Sequence, residues 1–326
     1  MVRRHRHLLP WIALLVVYVV WGSTYLAIRI VVREMPPLSA ASLRFGVAGL
    51  VMGGVALVLD RAHGWPSGRQ WADYSLVGVL LLGGGNALVM WAERTIPSGI
   101  AALIVATVPM WLVLLDGLRP GGQPWTTRIW IATFVGLAGV ALVARPEGGV
   151  SAGHWPGIVA LQVASLSWTL GSLYSQSVPR RLPLFTASSL EMLAGSAALL
   201  LESRLFGEDL GLVRAASPNA WLALAYLGVF GSLVGFTAFA YCLNELPAST
   251  VGTYAYVNPV VAVALGHLLL GETISGGLVA GATLILVAVL LSTLRRPARV
   301  GRSSSVEQEG GAPPPEPGQL ASPARR

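Results

Sequence analysis

The sequence contains no lysine and only one cysteine, Cys242. A single cysteine excludes an intrachain disulfide and any metal site built from several thiolates. Charged residues are also scarce, at 11% of the chain, whereas a soluble domain needs about a quarter to cover its surface. Hydrophobic residues make up 54% of the chain, so its main solvent is predicted to be lipid and not water.

Motifs for enzymatic chemistry are absent as well. The sequence has no glycine-rich phosphate-binding loop, which excludes ATP hydrolysis by this chain. The histidines, none in a paired metal-ligand spacing, are His5, His7, His63, His154 and His267. The net charge of +7 comes from arginines that stand singly between apolar runs or cluster at the chain ends, which disfavours nucleic-acid binding. We therefore expect a non-enzyme without metal, cofactor or nucleic-acid partner.

Long apolar runs predict an all-α polytopic membrane protein with ten transmembrane helices. The runs lie at 9–28, 38–59, 73–91, 96–116, 128–144, 155–177, 184–202, 219–241, 246–270 and 275–294. The first run follows Arg3, Arg4 and Arg6 but lacks a small-residue cleavage pattern, so it is interpreted as a retained helix and not a signal peptide. Pro97 and Pro247 are placed in the first turns of the fourth and ninth helices, where a missing N–H does no harm.

The arginines are distributed unevenly between the two sides of the predicted membrane. If the N-terminus is cytoplasmic, fifteen arginines lie inside and six outside, and Arg44 lies within a span. Positive charge concentrates on the cytoplasmic side, so both termini are predicted to be cytoplasmic in a multi-pass protein of the inner, cytoplasmic membrane.

Rare residues recur at a fixed distance along the chain. At an offset of 147, Trp21, Pro36 and Ser42 fall on Trp168, Pro183 and Ser189, and at 150, Trp91, Pro97 and Pro109 fall on Tyr241, Pro247 and Pro259. The alternative is chance combined with shared hydrophobicity. The recurrence predicts two five-helix repeats, 1–148 and 153–296, followed by a disordered cytoplasmic tail at 297–326. An odd number of helices per repeat inverts the second repeat in the membrane, as in many secondary transporters.

Several of these positions carry a family resemblance. The segments Trp-Gly-Ser-Thr-Tyr at 21–25, Pro-Pro-Leu at 36–38 and Leu-Arg-Phe at 43–45, with 259–261 and 268–272 in the second half, resemble the EamA-type domain of the drug/metabolite transporter superfamily. The resemblance implies two inverted EamA repeats and export or exchange of small metabolites, amino acids or drugs. One departure is that Gly271-Glu272 maps back to Gly121-Gly122, so the first half lacks the acidic residue.

Two ionisable residues within predicted spans, Arg44 and Glu191, occupy the same repeat position. Arg44 is predicted to face a central cavity and bind an anionic substrate group, which the recurring arginine of the resembling family favours. The alternative is a structural arginine that snorkels or binds main-chain carbonyls. Glu191 is either a proton-coupling carboxylate or, as we favour, a glutamate solvated near the cytoplasmic face. A salt bridge between the two does not follow from the inverted geometry.

Other polar and aromatic residues are further candidates for the cavity wall. Pro109 and Pro259 fall near mid-membrane and are predicted to act as helix hinges. The polar candidates around them and elsewhere are Asn86, Thr107, Thr253, Tyr254, Tyr256 and Asn258, with interhelical hydrogen bonding as the alternative role. Trp21 and Trp168 are placed towards the interior, where they are suited to stack on a cation or an aromatic substrate, and Tyr25 is a further aromatic candidate for the cavity wall.

These features together predict a secondary active transporter that exports or exchanges a small metabolite, amino acid or drug. Proton coupling is one hypothesis for its energy source. The alternatives are a translocase for lipids or lipid-linked sugars and, as a minor one, a membrane-embedded enzyme. The expected partners are a small-molecule substrate and the lipid bilayer, and the spacing of Gly49/Gly53 and Gly277/Gly281 suggests a homodimer face.

Overall fold

The computed structural model describes residues 8–61, 64–119, 125–143, 152–178, 181–246, 251 and 254–293, and the predicted tail at 297–326 lies outside them. All regular structure in these residues is helical. In lipid, where no water can bind free main-chain groups, a helix satisfies its N–H and C=O groups internally. The described residues pack into one compact unit.

The described residues of the first half form seven α-helical segments. They are α1 (Leu9–Val32), α2 (Pro37–Leu59), α3 (Gly68–Gly78), α4 (Ala87–Ala92), α5 (Ser98–Val105), α6 (Val108–Asp116) and α7 (Thr127–Val143). A π-helical segment, Val79–Asn86, joins α3 to α4 into one continuous span. Likewise α5 and α6 together form the fourth span.

The second half repeats this order with one short addition. Its helices are α8 (Trp155–Ser177), α9 (Leu184–Leu205), α10 (Leu210–Ala215), α11 (Pro218–Tyr226), α12 (Gly235–Glu245), α13 (Tyr254–Leu270) and α14 (Gly276–Thr293). A second π-helical segment, Leu227–Val234, joins α11 to α12. The added helix, α10, lies in the connection between two spans and is not predicted from hydropathy.

In the part of the chain that the structure describes, seven helical runs of 19 to 25 residues are long and apolar enough to cross a membrane, and three shorter apolar helices accompany them. The prediction of an all-α protein with ten apolar helices is therefore confirmed. Boundaries differ in places: α1 continues to Val32, beyond the predicted end at 28. The third span begins at Gly68, before the predicted 73, because Ser67 and Gln70 form a capping box that hydropathy does not register.

The two halves contact each other through matched positions on α2 and α9. Ser42 donates to the main-chain oxygen of Ser196 at 2.9 Å, and Ser189 donates to that of Gly49 at 2.9 Å. At the 147 offset, Ser189 is the counterpart of Ser42 and Ser196 that of Gly49, so each contact is the image of the other. Such paired contacts are expected between two copies of one unit that are related by a two-fold axis and cross the membrane with opposite topology.

The ends of α2 and α9 are joined by a second pair of reciprocal hydrogen-bonded contacts. Glu208 accepts hydrogen bonds from the main-chain N–H groups of Leu38 and Ser39 at 3.0 and 2.7 Å. At the opposite end of the pair, Asp60 accepts bonds from the N–H and the hydroxyl of Thr186, both at 2.9 Å. Each helix thus begins with free N–H groups that a carboxylate after the other helix satisfies.

Glycines allow the closest approach of helices between the halves. A Cβ atom at Gly281 in α14 would lie 2.8 Å from the main-chain oxygen of Gly139 in α7, and one at Gly49 would meet Leu193 of α9 at 2.9 Å. Gly49 and Gly281, two of the glycines whose spacing suggested a homodimer face, thus pack within the chain, and the homodimer stays a prediction. Outward-facing side chains such as Leu50, Phe134 and Leu222 remain more than half exposed, as lipid contact requires.

Candidate functional site

The helices of both halves surround a central cavity. The space open to the centres of water molecules is about 110 Å³, and its wall is predominantly apolar and aromatic. Eight residues that the sequence predicts for the site line this cavity: Trp21, Tyr25, Arg44, Asn86, Trp168, Tyr254, Asn258 and Pro259. Their part in transport stays a prediction, but the tertiary structure brings them together.

The other predicted residues lie elsewhere. Thr107 is buried, and its hydroxyl donates to the main-chain oxygen of Ile104 at 2.7 Å instead of facing the cavity. Glu191 and Pro109 do not line the cavity either. Thr253 and the side chain of Tyr256 lie outside the described residues.

Arg44 brings a positive charge into the cavity wall. It is 5% exposed, its Nε donates to the hydroxyl of Ser232 at 2.9 Å, and its Nη1 has no hydrogen-bond partner among the described residues. The guanidinium carbon lies 4.5 Å from the ring centroid of Phe45. Gly231 makes room for the group, because a Cβ there would lie 2.9 Å from Nη2. Arg44 therefore points into the cavity and does not snorkel outward.

Arg44 and its repeat counterpart Glu191 are not paired. Within the described part of the chain, neither residue takes part in an ion pair. Glu191 lies on α9 where Gly78 of α3 packs against its main-chain oxygen, so closely that a Cβ at Gly78 would overlap that atom. The charge of Arg44 is thus not neutralised by an acidic side chain among the described residues.

The two π-helical segments, Val79–Asn86 and Leu227–Val234, occupy matching repeat positions at an offset of 148. A π turn holds one residue more than an α turn, so it changes which side chains face a neighbour, and it often marks a functional site. Asn86 and Gly231 line the cavity, and Oδ1 of Asn86 has no partner among the described residues. Hydropathy does not predict a π-helical segment, although the run of three glycines before Asn86 lies within the first one.

The matched tryptophans meet at the centre of the molecule. Trp21 and Trp168 contact edge to face, with their ring centroids 6.4 Å apart. Trp21 also contacts Phe239 at 4.9 Å and Tyr254 at 5.4 Å, and its Nε1 donates to the main-chain oxygen of Gly231 at 3.3 Å. Edge-to-face contacts are a favourable geometry for aromatic rings, so Trp21, Trp168 and Tyr254 form a defined wall of the cavity, and Phe239, which does not line it, packs against Trp21. Nothing in the sequence alone distinguishes Phe239 from the other apolar residues of its helix.

The two predicted hinge prolines differ. The fourth span is broken between α5, which ends at Val105, and α6, which begins at Val108. Proline has no N–H, so Pro109 cannot donate to the carbonyl of Val105, and the helix ends there. Pro259, in contrast, lies inside the continuous helix α13. The side-chain amide of Asn258, beside it, has hydrogen-bond partners when its nitrogen faces the main-chain oxygens of Tyr254 and Tyr18. The nitrogen then donates to both oxygens at 3.2 Å.

A charged cluster lies beyond the cavity at the end of α1 and α4. Arg29 donates through Nη1 to the main-chain oxygen of Glu93. Glu93 is 0% exposed, and neither of its carboxylate oxygens has a hydrogen-bond partner among the described residues. Glu272 caps α5 by accepting from the N–H groups of Ser98 and Gly99 at 2.8 and 3.2 Å. In the sequence, Glu93 is distinguished only as part of a polar connection between two apolar runs.

Comparisons with known proteins agree with this architecture. The model of the EamA-like transporter family matches residues 9–145 and again 155–294. The uncharacterized inner membrane transporter YedA of Escherichia coli (strain K12) is 39% identical over 294 residues, which cover 89% of this chain and 93% of YedA. The uncharacterized transporter YvbV of Bacillus subtilis (strain 168) is 25% identical over 306 residues, covering 91% and 96%. A crystal structure at 24% identity shares the fold, with a TM-score of 0.59 over 88% of this chain and 95% of that one.

Proposed function

Since this chain belongs to the EamA-like transporter family, and is therefore a membrane transporter and not an enzyme, we propose that it exports or exchanges a small organic anion by secondary active transport. The similarity to the inner membrane transporter YedA supports a place in the inner membrane. The arginine distribution, fifteen inside against six outside, supports cytoplasmic termini.

The observation that carries the proposal is the state of Arg44. A guanidinium that is 5% exposed, with an unpartnered Nη1 and no ion pair in the described residues, is an unfavourable arrangement in a protein interior. A carboxylate in the cavity would supply the missing charge, and guanidinium groups bind carboxylates through two parallel hydrogen bonds. The Arg44 site is therefore suited to an anionic group of the substrate.

The rest of the wall suits an apolar or aromatic substrate body. Trp21, Trp168 and Phe236 line the cavity from three different spans and contact one another. Aromatic rings contribute a large apolar surface that excludes water from a bound molecule. Asn86 and Tyr254 add polar groups to the wall. Amino acids and other carboxylates with a hydrophobic part match this combination.

The matched contacts of the two halves support alternating access as the mechanism. In inverted-repeat transporters, each half adopts in turn the arrangement that the other half had, around a site near the middle of the membrane. Ser39 with Glu208 and Thr186 with Asp60 are equivalent contacts at opposite ends of the α2–α9 pair. Both contacts are present together, so an exchange of conformation between the halves would leave the α2–α9 interface with the same kinds of contact.

A tolerance screen tests the proposal. Cells that overexpress the protein are grown with inhibitory concentrations of amino acids and other organic acids, and growth is compared with cells carrying Arg44→Ala, Arg44→Lys and the exposed control Arg204→Ala. We expect protection against at least one carboxylate from the wild type and Arg204→Ala, and none from Arg44→Ala. Equal protection by Arg44→Ala, at equal membrane abundance, would remove the proposed anion site.

A further inference from the structure

The cavity-lining faces of two helices continue outward to Glu93. On the third span, Asn86 and Val89 line the cavity, and Glu93 follows Val89 by four residues. On α1, Arg29 follows the cavity residue Tyr25 by the same spacing. Residues four apart lie on one face of an α-helix, about 6 Å apart along its axis. Glu93 and Arg29 therefore lie one turn beyond the cavity wall, where they meet.

Glu93 differs from the other carboxylates at this end of the molecule. The carboxylates of Glu272 and Glu208 each accept several hydrogen bonds from the beginning of a helix. The carboxylate of Glu93 accepts none from the described residues and is 0% exposed. Arg29 binds the main-chain oxygen of Glu93 and forms no ion pair with its carboxylate in the described structure. Main-chain capping therefore does not explain this glutamate.

The surroundings of Glu93 suit a carboxylic acid better than a carboxylate. A buried carboxylate without donors is strongly unfavourable, whereas the protonated acid carries no charge. The titratable and charged groups that act on Glu93 are Tyr25 and Arg29 from α1 and Glu272 from the connection between α13 and α14. Glu272 opposes a second negative charge here, and Arg29 favours one.

We propose that Glu93 is a proton-binding site through which substrate movement in the central cavity is coupled to proton movement. The carboxylate binds one proton to form the neutral acid, and only an O–H bond is made. When Arg29 turns from the main-chain oxygen to the carboxyl group, the O–H bond breaks, the proton passes to water, and the guanidinium balances the negative charge left on Glu93. Tyr25 lies between the two sites, because it lines the cavity and precedes Arg29 by four residues on α1.

Proton binding is tested without any substrate, so it is separate from the proposed function on which the coupling rests. Infrared difference spectra of the full-length protein in liposomes are recorded across a pH titration. We expect a carboxylic-acid carbonyl band in the wild type that Glu93→Gln removes. An identical set of acid bands in Glu93→Gln at every pH would overturn the inference.

Arg29→Ala keeps the test valid if Glu93→Gln fails to fold. Without the guanidinium, the acid should hold its proton to higher pH, so the midpoint of the same band moves upward. Arg94→Ala removes an exposed arginine next to Glu93 in sequence and should leave the midpoint in place. A midpoint unchanged by Arg29→Ala would contradict the exchange between proton and guanidinium.

Coupling is measured with the compound found in the tolerance screen. In proteoliposomes, Glu93→Gln should still exchange labelled for unlabelled compound but should no longer accumulate it when a pH gradient is imposed. Accumulation at the wild-type rate in Glu93→Gln would overturn the coupling role. If Arg44→Ala still lost protection in that case, the proposed anion site would stand although the coupling role of Glu93 would not.

Discussion

The two halves of the molecule are alike in their packing and unlike in their charges. The contacts between α2 and α9, the two π-helical segments and the Trp21–Trp168 pair each have counterparts in both halves. Some ionisable residues lack such a counterpart: Arg44 is matched by Glu191, and the position matching Glu272 in the first half is Gly122.

This difference indicates that the packing contacts and the charged residues have different roles. Matched packing lets the two halves exchange conformations at little difference in free energy, because each contact has an equivalent after the exchange. Under the proposed function, unmatched charges are expected where the substrate binds and at the two sides of the membrane, which are themselves unlike. We infer that the pseudo-symmetric packing supports alternation and that the charges determine what is bound and in which direction it moves.

The largest effect is expected from breaking the charge difference at Arg44 and Glu191. Arg44→Ala removes the group proposed to bind the anion, so the affinity for the transported carboxylate should fall by at least about 30-fold, or about 2 kcal/mol. Glu191→Gln should keep affinity within about twofold of the wild type, because Glu191 lies outside the cavity. Binding isotherms in detergent would measure both, and equal losses would contradict the assignment.

Packing beside the π-helical segments gives the next effect. Gly78→Ala places a Cβ against the main-chain oxygen of Glu191, so we expect the free energy of unfolding to fall by about 1–3 kcal/mol. Gly228→Ala is the matched control, since nothing lies within 4 Å of its Cβ position. Thermal unfolding of the purified variants would compare them. A loss of stability in Gly228→Ala as large as in Gly78→Ala would argue against helix contact as the cause.

The carboxylate caps test the equivalence of the two ends. Glu208→Ala and Asp60→Ala each free the N–H groups that begin a helix, and each should lower the free energy of unfolding by about 1 kcal/mol. Similar losses are expected because the two contacts are images of each other. If one variant lost all its stability and the other none, the two ends would not be energetically equivalent.

The smallest effect concerns Glu34, which is exposed. The main-chain N–H and the hydroxyl of Ser217 donate to its carboxylate at 2.7 and 2.8 Å and hold the pKa of Glu34 below its ordinary value. Its contribution to stability is therefore present above that ordinary value and is lost as the pH falls through the lowered pKa. Glu34→Gln should flatten the acid side of a stability–pH curve slightly, and unfolding temperatures measured below pH 5 and at pH 7 would show whether it does.

Several elements are predictable from the sequence because their signals are local. The starts of α2 and α9 follow Pro36 and Pro183, and the repeat spacing by itself pairs Trp21 with Trp168. Hydropathy misses the start of α3, although Ser67 and Gln70 carry a capping signature, because capping residues are polar and add nothing to an apolar run. The break before Pro109 follows from a missing N–H, whereas Pro259 shows that the same residue can lie within a continuous helix.

The amino-acid sequence by itself determined the number of apolar helices and their division into two related halves, because hydrophobic length and residue recurrence are properties of the chain. The tertiary structure decided which polar groups meet and which are left without a partner. A π-helical turn rotates every side chain that follows it, and the packing of neighbouring spans sets the depth of each residue. For that reason Arg44 faces the cavity unpaired, Glu191 lies apart from it, and Glu93 is enclosed beside Arg29.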